Sequence, residues 1–211
     1  MFYLFLQENY LDWAVGSALR LEQPKFVTPS DYFDFGLSCA GILITLVFPC
    51  YCFFILKKNV NNLDKKDFKS KHGALYERFI TGNAVRRSVS LKMAVWFFLR
   101  RLLNAVNVVY LRNQTIWIQL TLNMWLSLID VCLKIHFDPY VNKIGGFMEK
   151  LNDLFVLTCA YFPYLFTDLT PSTEDKYLIG WFYDGTVATM ITVNLFVIVK
   201  TAFHGIVNRI R

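Results

Sequence analysis

Arg100 and Arg101 stand side by side in a stretch, Leu91 to Leu111, whose flanks WFFL and LLNAVNVVYL are apolar. Asp130 stands in a second such stretch, Thr115 to Ile135. An ionised arginine at the centre of a bilayer costs about 3 kcal/mol or more, so charges in such surroundings need partners. A very short link, Arg112 to Gln114, joins the two stretches and makes them antiparallel neighbours. Arg100 or Arg101 can then pair with Asp130 across the hairpin. The pair would serve as a structural lock or as part of an ion path or gate. A third reading starts the helix later and leaves both arginines at the membrane surface.

Amides form the second group. Asn107, Asn123 and Asn194 fall within apolar stretches. There they either bond between helices or line a polar path in which they replace an ion's hydration shell. Asp184 could line a pore near the outer face. It also follows Trp181, Phe182 and Tyr183, an order that suits an interfacial acid beside an aromatic belt. The three histidines, His72, His136 and His204, lack metal-ligand spacing, and no nucleophile elbow, phosphate loop, HExxH or CxxC occurs. The sequence therefore predicts no enzyme, no metal, no cofactor and no nucleic-acid partner.

The elements that must position these residues are membrane helices. Phe35 to Leu56 has no charged residue, and about 20 helical residues cross a hydrocarbon core of about 30 Å. With 55% hydrophobic and 17% aromatic residues, the chain of 211 is too apolar for an ordinary soluble domain. Spans are expected at about 35–56, 91–111, 115–135, 154–169 and 178–203. The fold predicted is an all-α polytopic bundle of about five spans, with an outer N-terminal segment over 1–34 and a transmembrane domain over 35–211. Leu6, Tyr10, Trp13, Ala14 and Ala18 recur at helical spacing and suggest an amphipathic helix on the outer surface.

Orientation follows from the 22 bases. Ten lie between Lys57 and Lys92, against the acids Asp64, Asp67 and Glu77. Basic loops stay inside, so the N-terminus is expected outside and the C-terminus inside. This arrangement puts sixteen bases inside and four outside (Arg20, Lys25, Arg112 and Lys176), with Arg100 and Arg101 in a span. Lys57, Lys58, Lys65, Lys66, Arg86 and Arg87 would attract anionic lipid headgroups on the inner side, at about 1 kcal/mol each. The same bases act as an ordinary orientation signal. All five cysteines lie in apolar runs, which argues against a disulfide framework. Cys50 and Cys52 are either palmitoylation sites or inert thiols, and Asn113-Gln114-Thr115 is a sequon close to the membrane.

Several short motifs carry a family resemblance. Lys71-His72-Gly73-Ala74-Leu75-Tyr76-Glu77 is similar to the K/R-x-G-x-L-Y segment that precedes a span in the TRP-like membrane proteins of fungi and ciliates. Phe98-Leu99-Arg100-Arg101-Leu102-Leu103 resembles that family's arginine-bearing span, and Ile118-Gln119-Leu120 its Q-containing span start. His136-Phe137-Asp138-Pro139-Tyr140 resembles its aromatic/Pro segment, after which Asn152 opens the next helix. The resemblance covers roughly Asp31 to Phe166. It implies the C-terminal membrane part of a channel or transporter for ions or small solutes, as a homo-oligomer or within a larger membrane complex. The other reading is a non-catalytic structural or accessory subunit. The lipid bilayer of a plasma or organellar membrane is the setting in both.

Overall fold

The computed structural model describes residues 2–24, 26–63, 65–76, 79, 84–112, 114–167, 170 and 172–210. Side chains are described for all of these except 2, 4, 6, 7, 84–87, 90 and 204–210. Lys25, Asp64, Glu77, Arg78, Asn113, Asp168, Leu169 and Arg211, and the side chains of Leu6, Arg86, Arg87, His204 and Arg209, lie outside the described set.

Among the described residues seven α-helices follow one another: α1 Phe2–Glu22, α2 Pro29–Lys58, α3 Lys66–His72, α4 Ala84–Tyr110, α5 Ile116–Phe137, α6 Lys143–Leu165 and α7 Thr173–Ile210. Among the described residues the extended pairing is one isolated bridge, Phe79 to Tyr140, so the chain is all-helical. Among the described residues, three segments are long and apolar enough to cross a membrane: Pro29–Lys58, Ile116–Phe137 and Thr173–Phe203. Helices α4 and α6 have comparable length, 27 and 23 residues, but carry Lys92, Arg100 and Arg101, and Glu149, Lys150 and Asp153.

The helices outrun the apolar stretches that announce them. Local capping explains where they begin and end. α2 opens at Thr28-Pro29, where Asp31 Oδ2 accepts from the backbone N–H of Thr28 at 2.7 Å and of Val27 at 2.9 Å. Proline suits the first helical turn because its missing N–H has no helical partner there. α5 ends at Asp138, which takes a left-handed conformation at φ 38 before Pro139. α6 begins at Asn142, whose Oδ1 accepts from Ile144 N at 3.1 Å. Asn152, expected to open this helix, lies well inside it.

α1 packs against two other helices. Its Tyr10, Ala14 and Ala18 form the buried stripe that the spacing implies. That stripe packs on α2 and α4, so the segment 1–34 does not stand apart from the bundle. α1 runs antiparallel along α2: Tyr3 meets Tyr51, Tyr10 meets Thr45, a Cβ on Gly41 would overlap Ser17, and Arg20 meets Asp31 at 2.8 Å. A specific need holds it there. Pro49 lacks the N–H that would bond the carbonyl of Thr45 four residues earlier. The Tyr10 hydroxyl donates to that carbonyl at 2.5 Å. Around this bond Tyr10, Phe48 and Phe98 form the aromatic junction of α1, α2 and α4, with Phe48 and Phe98 centroids 4.9 Å apart.

At the basic end the Tyr3 ring lies 5.3 Å from His72, which also meets Phe68 at 4.7 Å. Burial, with Lys71 adding, holds His72 below its ordinary value of 6.5. Its Nδ1 is buried without a hydrogen-bond partner among the described residues. The native state thus disfavours the protonated ring. Its contribution to stability is present above pH 6.5 and is lost as pH falls through the lower native value. The melting temperature should be lower at about pH 5 than at about pH 7.5, and His72→Phe should remove part of that difference. An unchanged difference in the variant would assign the effect to carboxylates elsewhere.

Candidate functional site

Five side chains from three consecutive helices converge in one network. α4 supplies Trp96 and Arg100, α5 supplies Asp130 and Lys134, and α6 supplies Asp153. Arg100 Nη1 donates to Asp130 Oδ2, and Trp96 Nε1 donates to Asp130 Oδ1 at 2.9 Å. Lys134, one turn beyond Asp130 on the same helix, bonds Asp130 at 2.8 Å and Asp153 at 2.6 Å. Arg100 also lies 3.6 Å from Asp153. Two acids and two bases alternate, so the network carries no formal net charge. Asp130, at 2% exposure, is the most enclosed member.

The arrangement follows from helix geometry. Asp130 and Lys134 are four apart and share one face. α4 and α5 are antiparallel, which sets Arg100 opposite Asp130. α5 and α6 are antiparallel too, which sets Asp153 opposite Lys134. Enclosure makes completeness matter: removing a charge from water is costly, and only full pairing recovers that cost.

Depth can be read from neighbouring contacts. Phe98, two residues before Arg100, touches Phe48 of α2. Phe48 lies thirteen residues from Phe35 and eight from Leu56, the ends of the uncharged run. At 1.5 Å per residue these are about 20 Å and about 12 Å. The network therefore sits at the level of the interior of that run, nearer its basic end.

A hollow of about 200 Å³ adjoins the network. Phe79, Tyr140 and Glu149 line it at the basic end, and Arg100, Asp130 and Asp153 line it farther in. Arg101 lines it as well and stacks its guanidinium 4.2 Å from the Phe97 ring centroid. Tyr140 packs over Gly146 so closely that a Cβ on Gly146 would lie 2.7 Å from the Tyr140 Cβ. That glycine lets the loop after α5 fold against α6 beside the hollow.

The other expected residues are dispersed. Asn107 Nδ2 donates to Gln119 O at 3.0 Å, and Gln119 Nε2 returns to Asn107 O at 3.4 Å, which ties α4 to α5. Asn194 exchanges bonds with Asn152 at 2.7 and 3.0 Å, which ties α6 to α7. Asn123 is half-buried on α5, and Asp184 is exposed on α7. Asn107 and Asn194 thus occupy two separate helix interfaces, where each amide nitrogen has a polar neighbour. Lys57, Lys58, Lys65 and Lys66 are exposed at the basic end. All five thiols are free, with Cys50 exposed and Cys52 buried.

Lys134 and Asp153 did not stand out in the sequence, since the apolar runs place the first at a span end and the second before a span. Helical spacing from Asp130 could have found Lys134. Asp153 needed the true start of α6. No family model, curated protein or solved structure matches the chain.

Proposed function

We infer that the chain is an integral membrane bundle that forms part of a path for ions or small solutes. The reading is carried by the charge-lined hollow at the level of the α2 apolar run. The resemblance to TRP-like membrane proteins points the same way. Five spans would leave α1 on the outer surface. Its end-to-end packing along α2, and the Tyr10 bond to Thr45 O, support a sixth crossing instead. Both termini then lie on the inner, basic side. Residues 1–7 carry no charged side chain, so the distribution of Lys and Arg between the two sides is unaffected.

Lys134 supplies a working element. It bonds both carboxylates, so a swing of its ammonium toward Asp130 would release Asp153 Oδ2 as an oxygen ligand for a cation entering past Glu149. Ion passage through hydrocarbon needs such ligands. Purified protein in planar bilayers is expected to pass cation current, and Asp153→Asn to change its selectivity or size. The neutral pair Lys134→Met with Asp153→Leu guards against misfolding and should abolish the current. Folded protein silent over a wide range of voltage and lipid would overturn the reading.

An accessory subunit is the second reading, and two observations favour it. The network neutralises itself. In addition Glu8 and Asp12 are exposed on α1, with Asp12 beside Gly41 and Ile44 in the middle of the α2 run. Carboxylates at that depth call for a polar partner.

A further inference from the structure

At the basic end, below the Phe48–Phe98 contact, α2 and α4 leave a groove of about 180 Å³ between them. Its walls include Phe53, Leu56, Leu91 and Val95, with Leu56 and Leu91 buried at its base. Its rim carries Lys57, Lys92 and Ser88, all exposed. No carboxylate is among its described lining residues. Lys57 extends over the Phe53 ring, its Nζ 5.5 Å from the centroid.

We propose that this groove is a binding site for one anionic glycerophospholipid, with an acyl chain between α2 and α4 and the phosphate between Lys57 and Lys92. The chemistry is complementary at both ends. Apolar walls continuous with the outer faces of two helices suit a hydrocarbon chain. Two ammonium groups above those walls suit a phosphate, and the Ser88 hydroxyl can donate to a third oxygen. Lysine stems lie along apolar surface while their charged ends reach the headgroup layer. A wholly apolar occupant would leave both ammonium groups without a counter-charge. A free anion would leave the walls unfilled.

The groove also differs from the general basic surface. Lys65 and Lys66 lie beyond α2 near the start of α3 and are not among its lining residues. They should contribute only diffuse attraction, which decays within a Debye length. The proposal rests on the reading of the bundle as membrane-crossing, with its basic end at the headgroups.

The test is a titration of detergent-solubilised full chain, followed by thermal unfolding. The probes are dioleoyl phosphatidic acid, dioleoyl phosphatidylcholine and inorganic phosphate. Phosphatidic acid should raise the melting temperature saturably, whereas phosphatidylcholine and phosphate should not. Lys57→Gln with Lys92→Gln should weaken the phosphatidic acid response about tenfold or more, and Lys65→Gln with Lys66→Gln no more than about twofold. Val95→Trp, which fills the groove and keeps both charges, should weaken it as well. Exposed lysines leave the fold intact, and an unchanged helical spectrum verifies this. Equal losses in the two lysine pairs would show diffuse attraction and overturn the site. So would equal potency of phosphatidylcholine or of inorganic phosphate. The titration needs no sealed bilayer, so a failed site and a failed crossing topology remain distinguishable.

Discussion

Asp130→Ala is expected to destabilise the bundle by about 3–5 kcal/mol, the cost of breaking a buried charge network by removing one partner. Three donors converge on this carboxylate: Trp96, Arg100 and Lys134. Without it two bases face the single carboxylate of Asp153, and an uncompensated positive charge stays enclosed among helices. Its carboxylate is only 2% exposed, so solvent can screen little of that charge. Asp130→Asn with Arg100→Gln restores neutrality. The double variant should lose clearly less than the two single losses combined. Fully additive losses in thermal unfolding would contradict coupling between the two residues.

Tyr10→Ala should cost a comparable amount, about 3–5 kcal/mol, through two separable effects. One is the void left at the junction with Phe48 and Phe98. The lower end of the range is appropriate if lipid rather than water is the alternative environment, because the transfer contribution then shrinks and packing dominates. The other is the orphaned carbonyl of Thr45, which Pro49 cannot satisfy. Tyr10→Phe isolates it: the ring stays and the bond goes, at a cost of about 1–3 kcal/mol. If Tyr10→Phe matched the parent in thermal unfolding, the hydroxyl would not be what anchors α1 to α2.

The helical character was legible from uncharged length alone, as Phe35 to Leu56 shows. The Arg100–Asp130 juxtaposition was legible too, because a short link dictates an antiparallel hairpin and sets depth against depth. Helix ends were not. Apolar runs mark the part of a helix that faces lipid or core, whereas α6 begins at its Asn142 cap, well before its apolar run. Asp153 was hidden for that reason. The packing of α1 on α2 and α4 was not legible, because a stripe of Tyr10, Ala14 and Ala18 has the same periodicity against a membrane surface as against other helices. The bond from Tyr10 to the carbonyl freed by Pro49 is what the stripe alone does not reveal. The partners of Asn107 and Asn194 were not legible either, since a sequence shows that polar groups share an environment but not which neighbour each one meets.

The central claim is that the bundle crosses the bilayer and so holds the Arg100–Asp130–Lys134–Asp153 network within it. Site-specific labelling tests this most directly. In a cysteine-free background, membrane-impermeant thiol reagent should label Ser30→Cys and Ser172→Cys on sealed cells. Ser70→Cys, and an epitope placed ahead of Met1, should become accessible only after permeabilisation. An accessible epitope with Ser70→Cys still protected would return α1 to the outer surface and leave five crossings. Labelling of Ser70→Cys on sealed cells would contradict the account.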